Sequence, residues 1–149
     1  MVKIFDLLAV DRITILDTHD KSVALDTMCR VLAGASTVCC YDELKTAIFE
    51  RENIISTSIG LGIAIPHVRL ATVTEMTIAV GISRQGIEYQ SFDDQPVHII
   101  VMIAAPEGAH REYLSVLAKI ALLLKNDVLR KSLIASNTPG EVYEILKSH

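Results

Sequence analysis

Apolar and polar positions change period several times along the chain. Ile13-Thr14-Ile15-Leu16 is a short β-branched run and predicts a first strand. A polar break over 17–20 separates it from Leu25, Met28, Cys29 and Leu32, which recur at i, i+3, i+4 and i+7. That spacing predicts one face of a helix, with Gly34 placed to end it. A second helix is predicted from Tyr41-Asp42-Glu43, where acidic residues suit the positive end of the helix dipole. Its apolar stripe is Leu44, Ala47 and Ile48, and the next position on that stripe is Arg51. An arginine continuing a buried stripe is expected to aim its head inward or into a cleft. The alternative is that the helix frays first and Arg51 is a solvated surface charge. Residues 53–58 then read as a loop offering the hydroxyls of Ser56, Thr57 and Ser58.

The stretch Gly60-Leu61-Gly62-Ile63-Ala64-Ile65-Pro66-His67 is a glycine-bracketed turn, a very short apolar run, a proline and an imidazole. Proline cannot donate to a sheet ladder, so the run is expected to stop at Pro66 and leave His67 at the lip of a sheet. A second strand is predicted over 76–82, a turn at Arg84-Gln85-Gly86 and an exposed loop over 91–96. Val97 to Ala105 is apolar at both parities, as in a central strand buried on both faces. Pro106 ends it. The long helix that follows has one apolar face of Leu114, Leu117, Ala118 and Ala121 and another of Tyr113, Val116, Ile120 and Leu124, so it is expected to be largely buried. Asn126-Asp127 opens a further helix carrying Val128, Leu129 and Leu133, and Thr138-Pro139-Gly140-Glu141 is a capping box opening the last. Residues 1–10 suit a short docking helix or turn. The interleaving predicts a single α/β domain over 1–149, with a mixed β-sheet flanked by helices on both faces.

Composition narrows the function classes. The net charge of −4 gives no basic footprint for nucleic acid. No apolar run approaches a membrane span, and no signal peptide is recognisable, so a cytoplasmic location is expected. Aromatic residues are only 5% of the chain, so the core must be built mainly from Ile, Val, Leu and Ala. Cys29, Cys39 and Cys40 form neither an even set nor a Cys-x-x-Cys pair, which argues against a disulfide framework or a structural zinc site. There is no His-Glu-x-x-His, no Gly-x-Ser-x-Gly elbow and no phosphate-binding glycine loop, so neither a metal nor a nucleotide cofactor is implied.

Five histidines remain. His19 sits in a polar turn and reads as solvated; His98 reads as a hydrogen-bonded residue of the central strand. His67 and His110 each follow a predicted strand end. On layout alone His67 is either structural or an imidazole that carries a phosphoryl group. The second role needs a neutral nucleophile, loop N–H and hydroxyl groups to cradle phosphate oxygens, and a cation such as Arg51 to hold them.

Arg51-Glu52, Ser56-Thr57, Gly60-x-Gly62-x-Ala64-Ile65-Pro66-His67, Gln95-Pro96-Val97 and Ala104-Ala105-Pro106-Glu107 together resemble the fructose/mannitol-type enzyme IIA domain of the bacterial sugar phosphotransferase system, most nearly its nitrogen-regulatory variant. The resemblance spans nearly the whole chain. It implies that His67 accepts a phosphoryl group from a histidine-containing phosphocarrier protein. It also implies that Arg51 stands beside the phosphate and that Thr57 and Gly60 belong to the loop supporting it, to which Ser58 adds a hydroxyl by the reading of the loop itself. Sugar-transporting members pass the group to a cysteine of an enzyme IIB, whereas regulatory members use it to control a target protein. With one such domain and no fused IIB, the regulatory role is the favoured expectation. Three positions depart from the pattern. Val68 stands where the family has a small residue, and Ser58 where it often has glycine. Tyr113 stands where the family places a second histidine. His110, three residues earlier, is either a partial substitute on the same helix face or a surface cap residue. A binding module that no longer carries phosphate is therefore an open alternative.

Overall fold

The computed structural model describes residues 4–38 and 40–149. Of the expected N-terminal docking segment, residues 1–3 lie outside the described residues, as does Cys39 among the cysteines. The rest of that segment forms two 3-10 turns, Ile4–Leu7 and Val10–Arg12. The strands are β1 (Ile13–Ile15), β2 (Ser58–Gly60), β3 (Ile63–Ala64), β4 (His67–Leu70), β5 (Thr77–Ile87) and β6 (Val97–Pro106). The helices are α1 (Lys21–Ala33), α2 (Tyr41–Ile54), α3 (His110–Leu123), α4 (Asp127–Ile134) and α5 (Pro139–Lys147). The strands make one mixed sheet in the order β1-β5-β6-β3-β2, with β4 also on β6.

The sheet has helices on both faces, as the sequence predicts. Alternate residues of the central strands enter different layers. Ala79, Ile100, Met102 and Ala104 pack with α1 and α2 residues such as Leu25, Met28, Leu44 and Ile48. Ile78, Val80, Ile99, Val101 and Ile103 pack with Val116, Ile120, Leu129, Leu133 and Val142 of α3, α4 and α5. β6 is central and buried, as its unbroken apolar run requires.

Four expectations need correction. The sheet does not stop at Pro66. β3 pairs with β6 at Ile63↔Ile99, and β4 resumes in the same parallel register at His67↔Ile103. Pro66 interrupts the ladder because it has no N–H to give, yet its carbonyl still accepts from Ile103 N–H at 2.9 Å. His67 therefore opens a second strand segment and does not hang from the end of the first. Arg84-Gln85-Gly86 is not a turn. It lies within β5, where the pairing with β6 shifts register between Ile82 and Ile87, and Gly86 takes φ +97°. The helix α3 buries only its Tyr113, Val116 and Ile120 face; Leu114 and Leu122 are exposed. On α4, Val128 is likewise exposed while Leu129 and Leu133 are buried. In each helix the sheet reaches one face only, and apolar residues elsewhere on the circumference stay in solvent.

The fourth correction concerns α2. Its buried row is Leu44, Ile48 and Glu52, the i, i+4, i+8 row, with Arg51 half-buried beside it. The helix runs on to Ile54, so Arg51 is not in a frayed end. Two local predictions hold as to position, although Glu141 bonds the residue before the N-cap and Gly34 is not left-handed. The Thr138 hydroxyl accepts from Glu141 N–H at 3.2 Å, and the Glu141 carboxylate reaches back to Asn137 N–H at 3.0 Å. Gly34 caps α1 in a right-handed conformation at φ −68°.

The turn between β2 and β3 is unusually demanding. Gly60, Leu61 and Gly62 have φ of +84°, +58° and +75°. A Cβ on Gly60 would also lie 3.2 Å from the Phe92 ring. Gly60→Ala is expected to cost about 1–2 kcal/mol from left-handed strain alone, read as a lowered urea midpoint with unchanged slope.

Candidate functional site

Side chains alternate across a strand, so Ile63, Ile65, His67 and Arg69 lie on one side of the β3–β4 edge. Ile63 and Ile65 join the core under α3–α5, while Ala64 and Val68 join the opposite layer. His67 thus continues a buried stripe out to the start of α3. Beyond β3 the sheet is covered by β2, but β2 does not extend alongside β4. Groups from both helical layers can therefore converge on His67 across that open edge.

Three do so. The Tyr113 ring of α3 packs against the His67 ring with centroids 5.5 Å apart and planes tilted by 56°. The Arg69 guanidinium lies 5.7 Å from the centre of the Tyr113 ring, and its Nη1–H donates to the Glu107 carbonyl at 3.2 Å. Arg51, from the last turn of α2, acts electrostatically on both His67 and Tyr113. Its own Nη1–H is turned toward the Ile55 carbonyl at a long 3.5 Å.

The imidazole is held by its backbone. His67 Nδ1 is 2.6 Å from the Ile65 carbonyl oxygen. A carbonyl can only accept, so Nδ1 must carry the hydrogen. In the neutral ring the lone pair is then on Nε2. Burial lowers the proton affinity of His67 below its ordinary value of 6.5; the Ile65 carbonyl opposes this, Arg51 adds to it and Glu52 opposes it. The result is a neutral, nucleophilic ring at pH 7. An NMR titration of the ring is expected to show a midpoint below 6.5. The sign for stability follows. The unfolded chain binds this proton more readily than the folded one, so the contribution of His67 is complete above 6.5. It is lost as the pH falls through the folded value. Burial pushes the Tyr113 hydroxyl up to about 12, against the pull of Arg69 and Arg51, so it remains an O–H donor at neutral pH.

The loop residues are placed as follows. Thr57 is buried, and its carbonyl accepts from Ile65 N–H at 3.1 Å. Ser58 is half-buried, with its hydroxyl 3.4 Å from Gly60 N–H. His110 is exposed at the first residue of α3. Among the described residues no hydrogen bond or ring contact joins His110 to His67; the α3 residue against that ring is Tyr113. Away from the site, His19 is exposed and His98 Nδ1 hydrogen-bonds the Ser83 carbonyl at 2.8 Å.

Sequence reasoning missed two residues. One is Arg69, whose i+2 spacing from His67 puts it on the same strand face once β4 is recognised. The other is Glu52, whose i+4 spacing from Ile48 marks it as the inward residue of α2.

Residues 6–149 match the family model described as phosphoenolpyruvate-dependent sugar phosphotransferase system, EIIA 2. The chain belongs to this family. The EIIA 2 domain is 37% identical over 149 residues to the PTS system fructose-specific EIIABC component of Bacillus subtilis, covering 99% of this chain and 24% of that protein. It therefore spans about a quarter of that relative. The crystal structure of nitrogen regulatory protein IIA-Ntr from Neisseria meningitidis superposes with a TM-score of 0.87 at 30% identity, covering 96% of this chain and 98% of that one. The complex of enzyme IIAMTL and phosphorylated enzyme IIBMTL from Escherichia coli contains a chain matching with a TM-score of 0.80 at 20% identity, covering 95% and 98%, and shares the fold. No described helix is long and apolar enough to cross a membrane.

Proposed function

We propose that this EIIA 2 domain is a cytoplasmic phosphoryl carrier whose acceptor atom is His67 Nε2, loaded by the phosphohistidine of a small carrier protein. The observation that carries the reading is the bond from Nδ1–H to the Ile65 carbonyl, which leaves Nε2 as the nucleophilic nitrogen at a partly open edge. In the transfer, the Nε2 lone pair forms a new N–P bond as the donor's N–P bond breaks, and that electron pair returns to the donor imidazole. The Nδ1–H stays on the ring, so positive charge developing there faces a carbonyl dipole. Arg51 offsets the charge of the phosphoryl oxygens. Thr57, Ser58 and Gly60 shape the loop beside them, and Tyr113 donates a neutral hydrogen bond where a second imidazole would supply charge. His110, one turn before Tyr113, is exposed at the start of α3 and takes no part in this step.

The full chain, incubated with phosphoenolpyruvate, the general first enzyme of the system and its phosphocarrier, is expected to gain an acid-labile label. No label above background would overturn the reading. A regulatory use of that phosphoryl group is supported by the likeness to the Neisseria regulatory protein. A second reading, transfer to an enzyme IIB, is favoured by identity over 99% of the chain to a fructose-specific component. A chase with a separate fructose IIB domain separates them. Transfer of label to the IIB cysteine supports sugar transport; retention on His67 supports regulation.

A further inference from the structure

Behind the imidazole lies a buried charge pair that phosphoryl acceptance does not by itself require. The Glu52 side chain is only 4% exposed, and its Oε1 lies 3.1 Å from Lys21 Nζ. The same oxygen accepts from Thr57 N–H at 3.1 Å. Lys21 also sits 4.4 Å from the centre of the Tyr89 ring, and the Tyr89 and Thr57 hydroxyls are 3.0 Å apart. Lys21 is the first residue of α1, an end where the helix dipole disfavours a cation. Its place is therefore set by Glu52 and Tyr89, not by the helix. A buried ion pair is commonly no more stabilising than apolar residues of the same volume, so stability alone is a poor reason for one here.

The bonding leads onward from Glu52 to the site. Glu52 holds Thr57 N–H, the Thr57 carbonyl holds Ile65 N–H at 3.1 Å, and the Ile65 carbonyl holds His67 Nδ1–H at 2.6 Å. We propose that Glu52, fixed by Lys21, is a positioning residue for phosphoryl transfer: it sets Thr57, and through Ile65 the orientation and tautomer of His67. It touches neither the phosphoryl group nor the imidazole. The inference rests on the reading of His67 as acceptor.

Two double variants of the full chain test it. Lys21→Met with Glu52→Leu removes the pair and the acceptor for Thr57 N–H. Lys21→Met with Glu52→Gln removes the charges but keeps an amide oxygen at that place. The leucine variant is expected to label roughly 10- to 100-fold more slowly, as misplacement of a reacting group does. Its His67 ring nitrogens should shift by NMR from a single tautomer toward a mixture. The glutamine variant should recover most of the rate and the single tautomer, a rescue that a merely structural role would not give. A folded leucine variant with wild-type rate and tautomer would overturn the proposal. If the leucine variant does not fold, the glutamine variant with Thr57→Pro, which removes the N–H at issue, is read in the same way. If wild type itself takes no label, the acceptor reading fails, and the NMR comparison still decides whether Glu52 sets the ring.

Discussion

Replacing His67 with alanine is expected to reduce acid-labile labelling to background, a loss of at least about 10³-fold, because the acceptor atom itself is removed. The fold should survive. His67 is half-buried at an open edge, and the strand around it is held by the backbone ladder to Ile103, Ala104 and Ala105. The variant loses an imidazole but no backbone hydrogen bond within that ladder. Circular dichroism and a urea midpoint close to wild type would establish this. Unchanged labelling of a folded His67→Ala chain would assign the acceptor elsewhere. His110 is the next residue to examine, being exposed on the same side of α3 as Tyr113 by its i, i+3 spacing.

The second large effect is expected from Arg51→Met. Losing one charge-assisted contact to a phosphoryl group in a partly desolvated site costs about 2.7–4 kcal/mol at the transition state, or roughly 10² to 10³ in labelling rate. The cause can be separated from a change in the nucleophile. Arg51 lowers the proton affinity of His67, so its removal raises that affinity. Burial, the largest influence on the ring, still lowers its proton affinity in the variant, so a fall of the high-pH plateau reports the phosphoryl charge. A pH–rate profile checks this: the acid limb should move toward higher pH, while the plateau falls by the full factor. Arg51→Lys should recover part of the plateau, since it returns the charge without the planar fork. A plateau equal to wild type in the methionine variant would remove Arg51 from the phosphate site.

Most of the fold was legible because periodicity reports burial. The two-faced apolar run of Val97 to Ala105 could only be a central strand, and the Leu25–Leu32 spacing could only be a helix packed on one side. The capping residues at Thr138 and Gly34 act through neighbours in sequence, so local chemistry sufficed to place them. Errors arose where the deciding partner is distant. Pro66 looks like a strand end until Ile103 is known to lie opposite its carbonyl. Gly86 looks like a turn until β6 is known to run past it. Leu114 looked buried because composition does not say which face of a helix meets the sheet.

The site divides in the same way. The residue types are written along the chain: one imidazole after a proline, a glycine turn before it, a hydroxyl loop and an arginine late in α2. These are fixed by local backbone requirements and by family pattern. Which groups meet depends on the folded arrangement. It set Nε2 free by placing the Ile65 carbonyl on Nδ1, put Tyr113 against the ring and Arg69 against Tyr113, and turned Glu52 inward onto Thr57. Those choices depend on a parallel register between β4 and β6 and on the phase of α2. A shift of one residue in either would reverse which side chain faces the site.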